Sequence, residues 1–227
     1  MKTLIGVIVI IILAGGAWLM LGNKETSTPT PTPETETPSA ERGMRPTPGS
    51  YAVSPEESLI TWTAGKPLIA GYVHTGTLAV KSGAVTVEDA AAAGSFEIDI
   101  ASVKVTSLGG GKAGKESQLE GHLKSDDFFG VEKFPTASFT IKSITPAEGE
   151  NAYTVTGALS MKGKTNDVTF PANIYMEDGK LHAHADLTID RTLWGVNFGS
   201  ASIFNDLANN AIGNDVTLSL KLIATPQ

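Results

Sequence analysis

The sequence predicts an all-β domain, an antiparallel barrel or sandwich with one inserted helix, downstream of an apolar segment and a polar linker. Three observations carry this. Five stretches between residues 94 and 222 alternate apolar and polar side chains. A period of two marks half-buried antiparallel strands. The breaks between them hold Gly, Asp, Asn and Pro, the residues that turns require. One stretch, 115–125, leaves the pattern and repeats its leucines at helical spacing.

Bulk properties narrow the function classes. The chain has 227 residues, enough for one sizeable core, and a formal net charge of −7. Residues 1–50 balance four bases (Lys2, Lys24, Arg42, Arg45) against four acids (Glu25, Glu34, Glu36, Glu41). The excess acid therefore lies in residues 51–227. An acidic domain with no basic stripe excludes nucleic acid as the expected partner. There is no cysteine, which rules out disulfides, thiolate metal ligands and a cysteine nucleophile.

Residues 4–21, LIGVIVIIILAGGAWLML, are uncharged and mostly apolar. As a helix they span roughly 27 Å, close to the bilayer core. Residues 1–23 read as a transmembrane anchor, with a cleaved signal peptide as the rival. Cleavage after Ala17 would leave an apolar WLMLG terminus. Lys2 and the terminal amine favour the N-terminus inside and the domain outside. The alternative is a secreted or periplasmic domain after cleavage. Residues 24–50 are rich in Pro, Thr and Glu and lack apolar periodicity. They form a disordered spacer with a reach on the order of 80 Å at most.

From Tyr51 the chain reads as strand. GSFEIDI sets Phe96, Ile98 and Ile100 on one face; TASFTIKS does so with Ala137, Phe139 and Ile141. DVTFPANIYME presents Val168, Phe170, Ala172, Ile174 and Met176. LHAHADLTID presents Leu181, Ala183, Ala185, Leu187 and Ile189, and DVTLSLKL presents Val216, Leu218, Leu220 and Leu222. EDGK at 177–180 is a hairpin turn. Leu119 and Leu123, four apart, share one face of a helix that ends near Ser125.

The run GHLKSDDFFGVEKFPTASF (121–139) resembles the YceI-like family, with its His-Leu-x-Ser-x-Asp-Phe-Phe stretch and following Pro. GALSMKGKTNDVTFP (157–171) is similar to that family's Gly-x-Leu-x-x-x-Gly-x-Thr strand pair, IDRTLWGVNFG (189–199) to its Ile-Asp-Arg segment, and YAVSPEESLITW (51–62) to its opening strand. The resemblance covers about 51–226. It implies a lipocalin-like eight-stranded barrel around a long isoprenoid chain, such as a quinone or polyprenyl lipid, in an exported protein. The sequence departs from the family pattern at the Gly-rich SLGGGKAGKE loop and at Gly130, both assigned to the mouth of the barrel on this reading.

The ligand-lining candidates are Phe96, Ile98, Phe139, Ile141, Phe170, Ile174, Ala183, Leu187, Ile189, Leu218 and Leu220. The small inward residues, Ala183 among them, suit either a hollow apolar interior or a compact core of alternating sizes; the resemblance implies the hollow one. Rim or head-group candidates are His122, Phe128, Phe129, Arg191 and Trp194. Arg191 has a second reading, pairing with a structural carboxylate such as Asp126. His182 and His184, two apart on a strand, share a face and could hold one metal. They lie opposite the apolar row beside Asp186, and read as a solvated polar face. Asp126 and Asp127 read as turn chemistry, since adjacent carboxylates rarely aim at one atom. No catalytic set, cofactor or metal is expected. The rivals to a lipid carrier are a metal-assisted or acid–base enzyme on the same barrel and a stalked interaction module. Oligomeric state stays open, a dimer included.

Overall fold

The computed structural model describes residues 44–227 except 90, 205, 206, 208 and 209. The anchor and most of the spacer expected from the sequence lie outside the described residues. Among the described residues no helix is long and apolar enough to cross a membrane.

Nine strands and one α-helix follow in order: β1 (Gly49–Val53), β2 (Leu59–Gly65), β3 (Val73–Val87), β4 (Ala92–Leu108), α1 (Glu116–Lys124), β5 (Thr136–Pro146), β6 (Ala152–Met161), β7 (Lys164–Glu177), β8 (Lys180–Asp190) and β9 (Asp215–Pro226). A short 3-10 turn, Arg191–Trp194, follows β8. All pairings between these strands are antiparallel, and the order β3-β2-β9-β8-β7-β6-β5-β4 closes through β3–β4. This is an eight-position barrel. Closure removes the free edges that an open sheet would leave.

One position is shared. Both β1 and β2 pair with β3 on one side and β9 on the other. The opening strand expected over 51–62 is thus two strands, broken at residues 54–58. The break is chemically repaired. Ser54 N donates to Ile223 O at 2.8 Å, and Ile223 N donates to the Ser58 hydroxyl at 3.0 Å. Ser58 Oγ donates back to Ile223 O at 3.3 Å, and the residue is buried. One hydroxyl replaces ladder bonds that the jog would otherwise leave unmade.

Register shifts bend the long strands. The β3–β4 ladder shifts three times, and β5–β6 shifts between Ile141 and Ser143. Each shift changes which parity of residue faces inward. On β4 the inward row runs Phe96, Ile98, Ile100 and then Val103, Val105. Two close approaches also shape the interior. A Cβ at Gly157 would sit 2.2 Å from the Phe139 ring, and one at Gly76 would sit 2.4 Å from the Trp62 ring. Glycine at these positions lets both rings lie across the neighbouring strand.

The helix matches the expected span. Leu119 and Leu123 pack on the core, and Ser125 Oγ closes the helix end on His122 O at 2.7 Å. Glu120 docks it to β4, accepting from Val105 N at 3.0 Å and pairing with Lys104 at 3.4 Å.

Replacing Ser58→Ala leaves Ile223 N buried without its acceptor. The expected loss is about 1–3 kcal/mol in chemical denaturation. A change within ~0.3 kcal/mol would show that the jog is not held by this hydroxyl.

Candidate functional site: an apolar cavity with one closed end

The barrel is hollow. Its interior holds a cavity of about 440 Å³. The wall is almost wholly apolar, and Phe96, Phe139 and Phe170 form a gallery with ring centroids 6.4 and 5.7 Å apart. All eleven lining candidates from the sequence stand on this wall: Phe96, Ile98, Phe139, Ile141, Phe170, Ile174, Ala183, Leu187, Ile189, Leu218 and Leu220. Sequence reading missed Trp62, Leu78, Val80, Val85, Tyr153 and Leu159, which also line it. They lie on β2, β3 and β6, for which no apolar alternation was assigned. The indole N–H of Trp62 is buried without a hydrogen-bond partner.

The two ends differ. At one end the cavity reaches exposed Arg45, Glu88, Asp89 and Ala91, together with Pro46. This is the mouth. The chain enters the barrel there too, through a backbone bridge of Met44 to Met176. The opposite end is shut by Leu123, Phe128, Phe129, Val196 and Ile212. Gly130 and the Gly-rich 109–114 loop belong to the closed end, so the sequence expectation that they form the mouth is corrected. The chain connections explain this: the helix-bearing β4–β5 and the β8–β9 connections both cross that end.

The closing segment is built locally. After α1 the chain turns back on itself, with Phe129 N on Leu123 O at 3.1 Å and Gly130 N on Ser125 O at 2.8 Å. Gly130 has φ +57°, and a Cβ there would meet the Asp126 carboxylate at 2.9 Å. Lys162, in the β6–β7 turn, donates to Asp126 O at 3.2 Å and to Phe128 O. Burial lowers the Lys162 pKa, opposed by Asp126 and Asp127. Phe128 is buried and Phe129 half-buried, both on the cavity wall.

The remaining rim candidates move. His122 is not on the cavity wall. It lies outside the lid, 3.0 Å from Asp127, with the rings of Phe128 and Phe198 edge-on at 4.9 and 4.8 Å. Trp194 is fully interior rather than at a rim, its indole donating to Leu159 O at 2.8 Å. Arg191 is buried at the closed end and lines the cavity. Its partners are backbone carbonyls, Gly213 O at 2.9 Å, Ile212 O at 3.3 Å and Val196 O. Asp126, offered as its carboxylate partner, pairs instead with Lys133 at 3.1 Å. Burial lowers the Arg191 pKa, with Asp190 opposing. The three carbonyls come from two points of one long connection, so Arg191 ties Val196 to Ile212 and Gly213 as a second half of the lid.

His182 and His184 are on the outer face as expected, but not as free solvated groups. Tyr175 lies between them, stacked at 5.3 and 6.0 Å with its plane 13° and 14° from theirs. The nearest carboxylate to His182 is Glu177 at 3.9 Å. Among the described residues no three His, Asp or Glu side chains gather as a metal site. Desolvation first, then His182 and Lys221, lower the His184 pKa from 6.5.

The family model for the YceI-like domain matches residues 51–224. A UPF0312 protein of Staphylococcus aureus strain bovine RF122 / ET3-1 is 36% identical over 94 residues, covering 38% of this chain and 52% of that protein. The chain spans about half the length of that curated relative. Among solved structures, BcnA of Burkholderia cenocepacia superposes with a TM-score of 0.59 at 24% identity, covering 76% of this chain and 99% of that one. A polyisoprenoid binding domain from Saccharophagus degradans, implicated in plant cell wall breakdown, gives 0.59 at 16% identity over 78% and 98%. These superpositions show a shared fold.

Two outcomes follow from the geometry. Arg191→Met removes three carbonyl ties, and amide exchange across 195–213 is expected to accelerate at least tenfold relative to β6 and β7. Equal protection in both proteins would remove Arg191 from that role. For His184 the folded pKa lies below the unfolded value, so stability is lost as pH falls through the unfolded value toward the folded one. The fall in thermal midpoint below pH 6.5 is expected to be shallower in His184→Gln; an unchanged slope would contradict it.

Proposed function

The chain belongs to the YceI-like domain family, and from that premise we propose that its barrel holds a long apolar chain of isoprenoid type, for carriage or storage. The observation that carries this reading is the hollow, apolar interior. A volume of about 440 Å³ lies in the range of small-molecule sites. A purely structural barrel of eight strands can fill its centre with side chains; here Ala137, Ala172, Ala183 and Ala185 leave it empty. The Saccharophagus degradans neighbour is described as polyisoprenoid binding, and its likeness in fold supports an apolar chain over other occupants.

Among the described residues the wall carries no converging acid–base set. Its charged side chains are Arg45, Glu88 and Asp89 at the mouth and Arg191 at the closed end. These groups are divided between opposite ends, which favours binding over catalysis. A quinone or polyprenyl lipid fits the wall, with its head at either end. Residues 4–21 would keep such a carrier at the membrane from which the lipid comes, raising its local concentration there.

Mass spectrometry of organic extracts from the purified protein tests the reading. The expected result is a co-purifying isoprenoid in near-stoichiometric amount. Ala183→Trp fills the mouth-side part of the cavity and is expected to cut the extracted lipid at least tenfold with the thermal midpoint preserved. Full lipid content in a folded Ala183→Trp protein would place the ligand elsewhere.

A further inference from the structure

We propose that the closed end of the barrel is a docking face for an anionic lipid surface. This goes beyond the ligand reading and does not rest on it. Eight large apolar side chains are exposed among the described residues, and six of them, Leu68, Val73, Leu193, Phe198, Ile203 and Phe204, belong to the closed end. Leu68, the most exposed of these at 64%, is on the β2–β3 turn; the last four are on the β8–β9 connection, between 40% and 54% exposed. The two loops are neighbours. Gly213 N donates to Gly65 O at 2.8 Å, and Lys66 Nζ donates to Asn210 at 3.4 Å. Isolated exposed apolar residues need no explanation, but a group gathered on one end does.

Charge selects the partner. Lys66, Lys112, Lys115, Lys124 and Lys164 stand at this end with no carboxylate of the described residues within 4.0 Å. Glu120, Asp126 and Asp127 there pair with Lys104, Lys133 and His122, while Glu116, Glu132, Asp190 and Asp215 have no ion pair among the described residues, so this end keeps a small excess of base. The mouth end is the reverse. Its turns carry Glu88, Asp89, Glu148, Glu150, Glu177 and Asp178 against the described bases Arg45 and Lys180, and Lys180 is already paired with Glu57 at 2.6 Å. Near an anionic bilayer the mouth end is repelled and the lysine-bearing closed end is turned toward the surface. Apolar tips ringed by lysines are the pattern of an interfacial contact, where the tips enter the headgroup layer and the ammonium groups stay above it.

The docked end is also the lid. Phe198 lies 5.2 Å from Phe128 and 4.8 Å from His122, so it forms the seam between the two lid halves. Docking would bring that seam to the lipid. A polar lipid surface, rather than a flat apolar partner, fits tips that stand on separate turns.

The chain lacks cysteine, so single labels report cleanly on the full protein. Ile203→Cys, Leu68→Cys and, at the mouth end, Asp178→Cys are each labelled with an environment-sensitive NBD dye. They are mixed with phosphatidylcholine–phosphatidylglycerol vesicles containing brominated lipid. The labels at 203 and 68 are expected to shift to the blue and be quenched, while the label at 178 stays aqueous. This contrast holds whether or not residues 4–21 also insert, because only position within the barrel differs. The proposal is overturned if the 178 label is quenched as much as the other two, or if the lid labels stay aqueous. It is equally overturned if they become buried with rising protein concentration and no vesicles, the sign of a second copy on this face.

Discussion

Ring closure between β3 and β4 is the constraint on which the rest of the molecule depends. A hydrogen-bonded wall that meets itself satisfies its backbone groups without help from the centre. The interior is then released from the task of holding the fold together. That is why a row of alanines and a cavity can coexist with strands such as β7 and β8, whose ladders run unbroken over six or more pairs. The stability of the wall comes from its perimeter and from the packed closed end, where Val103, Trp194 and Val196 are almost fully buried.

The closed end is a construction of long-range polar contacts to backbone. Lys162 reaches the carbonyls of the α1–β5 turn, Trp194 that of Leu159, and Arg191 three of the β8–β9 connection. Each contact is charge-assisted or buried, and hydrogen bonds of that kind are the stronger ones. A lid held this way is specified by geometry rather than by apolar contact alone. Apart from Arg191 its inner face is apolar toward the cavity, and its outer face is free to carry other chemistry.

Much of this was legible in the sequence, and the rest was hidden by two causes. Where strands run without register shifts, as in β7, β8 and β9, alternation named the inward residues directly, from Phe170 to Leu220. On β3 the inward row passes from Leu78 and Val80 to Val85, changing parity across a bulge, and no simple alternation survives. The same change hides Val103 on β4 and Ile144 on β5. Trp194, His122 and Arg191 failed differently. Local sequence placed them near an end of the barrel, but which end, and whether inside or out, is decided by connections some twenty residues long. The partners of Arg191 are main-chain carbonyls, which carry no side-chain signature to read.

The broken stave has a consequence of its own. Over the mouth half, the ring between β3 and β9 is completed by only the five residues of β1, while β2 completes the other half. β1 holds to β3 at four register pairs and to β9 at three, the shortest ladders in the ring. Lifting β1 would cut a slot in the side of the wall and leave β2, the lid and the opposite staves standing. The barrel thus carries its shortest ladders in one panel, joined to the rest of the stave through the Ser54–Ser58 jog.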